Sequence, residues 1–113
     1  MVKVLHVLGV HIYSHELSYA VKKVVDDCVT VPIRSSRCIS ATGAHGLVIA
    51  KQNINFNNIL KIFYWNLPDG MPLVWMGHLR GYKSMQRCYG PDFFKMVMIE
   101  SANKPVNHFF CGG

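Results

Sequence analysis

Apolar residues fall in short runs broken by glycine, proline and polar clusters, and the spacing inside each run predicts its element. Val2 to Tyr13 is β-branched and apolar around Gly9, which predicts one strand, or two short ones bending at the glycine. Ser14 is placed to cap a helix, and Glu16, Leu17, Ala20, Val21, Val24 and Val25 mark one face of it. Lys22, Lys23, Asp26 and Asp27 lie mainly on the other face, as solvated charges. Thr30 to Ser36 is a polar, proline-marked connection. Arg37 to Ala41 reads as a short buried strand; Gly43 breaks it and Ala44 to Asn53 forms a helix, with a further short one over Phe56 to Phe63. Tyr64 to Leu67 is a strand feeding the turn Pro68-Asp69-Gly70, and Met71 to Leu79 then runs at helical spacing, with Pro72 suited to its first turn. Gly90-Pro91-Asp92 repeats that grammar before a helix over Phe93 to Ala102, which Asp92 is placed to cap or lead. Val106 to Cys111 reads as a last strand, closed by Gly112-Gly113.

The order β-α-β-α-α-β-α-α-β predicts a Rossmann-like α/β fold, a mostly parallel sheet with helices on both faces. The length of 113 residues allows one domain and a single core of modest size. The glycine pair falls where a βα turn should open the next helix, so the chain reads as the N-terminal part of a larger domain, truncated after the Val106–Cys111 strand.

Composition narrows the class. Hydrophobic content of 50% against 16% charged is too apolar for disorder. No apolar run reaches membrane-span length, and the N-terminus lacks the pattern of a signal peptide. Cys28, Cys38, Cys88 and Cys111 form no C-x-x-C pair and read as reduced thiols packed as small hydrophobes. His6, His11, His15, His78 and His108 show no metal-ligand spacing, so no metal is assigned. The net charge of +6 suits nucleic acid, an anionic bilayer face or a phosphorylated substrate alike. The twelve Lys and Arg are spread out with no clustered stripe, which argues against nucleic acid.

Candidate chemistry gathers in Leu67 to Phe94. A carboxylate in a strand-to-helix turn lies at the C-terminal edge of a sheet, where open α/β folds place ligands. Asp69 is in such a turn, and Arg87, just before the second turn, adds a permanent cation. An acid, a cation and free helix N-termini on one edge suit a phosphate-bearing ligand.

The same residues carry a resemblance. P-D-G-M-P-x-V-W, then R-x-Y-G-P-D, then an apolar strand ending in Gly-Gly resembles the WecG/TagA/CpsF family of bacterial glycosyltransferases. Val7-Leu8-Gly9-Val10 resembles that family's opening block, and Ser40-Ala41-Thr42-Gly43-Ala44-His45-Gly46 its second. Four blocks in the right order over nearly the whole chain make the match specific. Trp65-Asn66 stands where the family more usually has Ala-Asp, which implies local repacking behind the loop.

The resemblance implies transfer of an N-acetylmannosamine-type or related sugar, with inversion, from a UDP-sugar to an undecaprenyl-diphosphate-linked glycan. That reaction belongs at the cytoplasmic face of the plasma membrane, in making surface polysaccharide or teichoic acid. No metal or other cofactor is expected; homo-oligomerisation is left open. Asp69 would be the general base, or else hydrogen-bond its own turn. Thr42 would bond a sugar hydroxyl or the acceptor, or else cap a helix. Arg87 would neutralise the departing diphosphate, or else be a surface cation. His45, Gly70 and Asp92 would join Arg87 in binding substrate, or else be structural, with Asp92 a helix cap. The alternative is a non-catalytic α/β module that binds a nucleotide or a protein partner.

Overall fold

The computed structural model describes residues 4–30 and 36–112. Residues 2 and 3 of the first predicted strand, most of the Thr30–Ser36 connection and Gly113 lie outside them. Among the described residues the fold is mixed α/β, with five helices and two small sheets, one antiparallel and one parallel.

The first apolar run folds as two short strands, β1 (Val4–Val7) and β2 (Val10–Tyr13), paired antiparallel. Leu8 and Gly9 both take positive φ, 51° and 83°, the signature of a two-residue turn that matches the twist of a hairpin. Helix α1 (Leu17–Thr30) follows. Ser14 does not cap it: its hydroxyl donates to the Ile12 carbonyl at 2.8 Å, while the Leu17 N–H donates to Gln86 Oε1 at 3.0 Å. The start of α1 is thus supplied by a distant loop.

Strand β3 (Ile39–Thr42) leads through α2 (Ala44–Gln52) and α3 (Ile54–Ile62) to β4 (Trp65–Pro68), parallel to it. Asn53 divides the two helices. Its N–H closes α2 on Ile49, and its side chain accepts from Asn55 and Phe56 to start α3, so one residue ends one helix and caps the next. Strand β2 lies alongside β4, with Tyr13 and Trp65 ring centroids 4.8 Å apart. Helices α4 (Met71–Leu79) and α5 (Gly90–Ser101) complete the chain, with α5 packed against α1.

The core has two parts. Leu5, Val7, Val10 and Ile12 of the hairpin meet Leu47, Ala50, Leu60 and Leu73 of the helices, along with Met85. Tyr13, Ala20, Trp65, Leu67 and Cys88 form the second cluster. Full burial of such an aliphatic or aromatic side chain contributes about 1.5–3 kcal/mol. Gly77 makes room for Met85, whose sulfur a Cβ at position 77 would strike. That fit, with His78 Nε2 2.8 Å from the Met85 carbonyl, folds the loop after α4 back across the sheet edge.

The α/β class holds and is consistent with a Rossmann-like fold, its strands divided among the described residues between a parallel pair and an antiparallel hairpin. One expectation needs correction. Val106 to Cys111 is not a strand. Instead it is held by side chains against α5: Ser101 Oγ lies 2.9 Å from His108 Nε2, and the Phe94 and Phe110 centroids are 5.9 Å apart. Its β-like composition lacks a ladder partner among the described residues, and a strand exists only by pairing.

Candidate functional site

The end of the parallel pair brings Thr42 and Asp69 together. Thr42 is the last residue of β3, in register with Pro68 at the end of β4. The next N–H, that of Asp69, donates to the Thr42 carbonyl at 3.1 Å. Cys88 of the returning loop and Gly90 at the start of α5 continue this edge. Cys88 N–H donates to the Pro68 carbonyl at 2.7 Å, and Gly90 sits so close to Ala41 of β3 that an added Cβ would lie 3.3 Å from the alanine methyl.

Three helices begin here. Gly43 precedes α2, Gly70 precedes α4 and Tyr89 precedes α5, and none of them supplies a side-chain cap. A helix start without a side-chain cap offers first-turn N–H groups and the positive end of its dipole, which favours an anion, although Pro72 and Pro91 each remove one N–H from α4 and α5. Gly70 has φ −163°, a value any residue adopts, and an added Cβ would make only an ordinary 3.7 Å contact with Pro72. Local backbone geometry therefore does not demand glycine there.

Asp69 is half-buried, and its Oδ1 is buried with no hydrogen-bond partner among the described residues. A buried carboxylate oxygen left unpaired is costly, so it needs an explanation beyond turn formation. Its neighbour Cys88 is fully buried. Burial first, and the Asp69 carboxylate second, push the Cys88 thiol up to about 12. Cys88 thus stays protonated beside the acid, its Sγ donating to the Gln86 carbonyl at 3.6 Å.

Thr42 is buried and caps nothing; its Oγ1 lies 2.6 Å from Ser40 Oγ. Ser40 donates in turn to Asn66 Oδ1 at 2.6 Å. Arg87 is exposed, its guanidinium 4.7 Å above the Tyr89 ring, in the loop directly before Cys88. His45 is exposed in the first turn of α2. Asp92 lies in the first turn of α5 and does not cap it, since Tyr89 is the residue before the helix. The backbone brings Thr42, Asp69 and Gly70 together; Arg87, His45 and Asp92 sit on the segments around them. Sequence reasoning missed Ser40, Asn66 and Cys88. No local signal marked the first two: Ser40 and Thr42 are two apart on one strand face, but Asn66 becomes the partner of Ser40 only in the observed register.

The model of the glycosyl transferase WecG/TagA/CpsF family matches residues 5–113, nearly the whole chain. The chain belongs to that family. A search of curated proteins finds no significant match. Membership makes this WecG/TagA/CpsF chain a glycosyltransferase acting between a sugar donor and an acceptor. The match spans both strand ends, the Pro68-Asp69-Gly70 turn and the Arg87–Asp92 segment. Among the described residues, no helix is long and apolar enough to cross a membrane.

Proposed function

We propose that this glycosyltransferase moves an N-acetylmannosamine-type sugar from a UDP-sugar to an undecaprenyl-diphosphate-linked glycan, with inversion. The acceptor hydroxyl oxygen attacks the anomeric carbon and gives its proton to Asp69. The bond from that carbon to the diphosphate oxygen breaks, and UDP leaves with the electron pair. The uncapped N-termini of α2, α4 and α5, with Arg87 nearby, receive the diphosphate charge. His45 and Asp92, on the first turns of α2 and α5, would line the same opening. The reaction needs no metal in this reading, and its lipid-linked acceptor places it at the cytoplasmic membrane face.

The observation that carries the proposal is Asp69: a carboxylate with a buried oxygen that has no partner among the described residues, between the ends of two parallel strands and the start of α4. A proton-accepting oxygen kept out of water and away from protein donors suits a general base. Asp69→Asn should lower turnover about a hundredfold or more, measured as UDP release with a lipid-linked acceptor, with the thermal midpoint preserved. Lost stability with turnover intact would make Asp69 a turn residue only.

A further inference from the structure

The hydrogens in the polar chain behind Thr42 can be counted. Asn66 is fully buried, and its Nδ2 donates to two backbone carbonyls, His11 at 3.1 Å and Leu60 at 2.9 Å. Both amide hydrogens are spent, and a flipped amide would set oxygen against oxygen twice. Asn66 Oδ1 therefore faces Ser40 Oγ at 2.6 Å, and an amide oxygen only accepts. Ser40 has one hydroxyl hydrogen, and it goes to Asn66. The 2.6 Å contact between Ser40 Oγ and Thr42 Oγ1 then requires Thr42 to be the donor. With its hydrogen committed inward, Thr42 has only lone pairs left for anything that binds at the edge.

From this count we infer that Asn66 and Ser40 are positioning residues that lock Thr42 as a one-way acceptor. Thr42 then recognises a hydroxyl or amide N–H on a sugar and rejects the oxygens of the diphosphate, which cannot donate. The inference rests on the proposed sugar-transfer site and divides its labour. Helix N-termini supply donors to phosphate, whereas Thr42 and Asp69 supply acceptors to sugar. The acceptor hydroxyl has a single hydrogen, which Asp69 takes, so Thr42 serves a second donor group on either the transferred sugar or the acceptor sugar. The lock is anchored well away from the edge. Asn66 ties β4 to β2 and to the end of α3, so the orientation of one hydroxyl depends on the packing of three elements.

Two measurements test this in the full chain. Neutron diffraction from deuterium-exchanged crystals should place the Thr42 deuterium on the line to Ser40 and the Ser40 deuterium on the line to Asn66. A Ser40 deuterium pointing at Thr42 would overturn the inference whatever the protein binds. The second measurement is kinetic, with UDP and a UDP-N-acetylhexosamine as probes. Thr42→Val should raise KM for one sugar substrate about threefold to tenfold and leave the inhibition constant of UDP unchanged, and Thr42→Ser should restore it. Ser40→Ala frees the Thr42 hydrogen and should raise the same KM about threefold with little change in kcat. Deoxy analogues of the donor sugar and of the acceptor sugar identify the source: the analogue lacking the recognised group should make Thr42→Val and the unmodified chain equal. A UDP inhibition constant that rises with KM in Thr42→Val would put Thr42 on the diphosphate and refute the inference. Failure of the unmodified chain to bind UDP or the sugar nucleotide overturns the proposed function and sugar recognition with it, while the neutron map still rules on the hydrogen chain.

Discussion

Asp69 and Cys88 show how two ordinary residues become unusual through placement. The thiol beside the carboxylate is held up at about 12 by burial first and by the Asp69 charge second. An unfolded cysteine titrates near about 8.5. Because the folded value is the higher one, this group's contribution to stability is whole below the unfolded value and is lost as pH rises from there towards 12. Tyr13, raised mainly by burial, acts in the same direction above about pH 10. Denaturant titrations should therefore show stability falling from about pH 8.5 upward, and Cys88→Ala, which cannot ionise, should flatten the first part of that fall. Thiol labelling gives an independent check. Cys28, Cys38 and Cys111 are exposed and should react in the native state, while Cys88 should react only on unfolding. At this scale Asp69 and Thr42 were legible in the sequence, because a strand end followed by a glycine turn announces itself locally. Ser40 and Asn66 were not, because a polar residue inside a strand carries no local mark; its meaning appears only once β3 and β4 are in register.

Elements were legible where their signals were local. The Met71–Leu79 helix has the expected bounds, and α2, α3, β3 and β4 lie within two residues of expectation. Misreadings occurred where the deciding contact was distant. The start of α1 depends on Gln86, and the last apolar run reads as a strand in sequence but pairs with none among the described residues. The β1–β2 hairpin shows a third kind of gap. Gly9 revealed the bend, but Leu8 hid the turn, since hairpins of this type favour Asn or Asp before Gly. Leu8 is held at φ 51°, where a side chain with a Cβ is strained. Leu8→Asn should therefore stabilise the protein by about 1 kcal/mol, and Gly9→Ala, at φ 83°, should destabilise it by a similar amount. Urea unfolding decides both, and a Leu8→Asn variant weaker than the parent would mean that Leu8 packing outweighs the turn strain.

Across the whole molecule, net charge and apolar surface pull in opposite directions. The chain carries +6, and Ile62, Leu79 and Phe109 are more than four-fifths exposed, with Trp75 and Phe110 also well exposed. Exposed apolar surface of this kind favours self-association, while like charge opposes it. Salt settles which effect dominates, because screening shortens the reach of charge from about 10 Å at 0.1 M to about 3 Å at 1 M and leaves apolar attraction in place. Sedimentation should show a weight-average mass that rises with salt, and Leu79→Lys with Phe109→Lys should shift the association midpoint upward about tenfold or more. Binding of UDP should respond in the opposite sense, since the same screening weakens attraction between the cationic chain and a diphosphate. The two trends separate the surfaces involved: charge drawing a nucleotide to the strand ends, and apolar contact elsewhere drawing copies together. A mass independent of salt would show that these side chains do not drive association, and UDP binding that strengthens with salt would rule out a charge-driven nucleotide site.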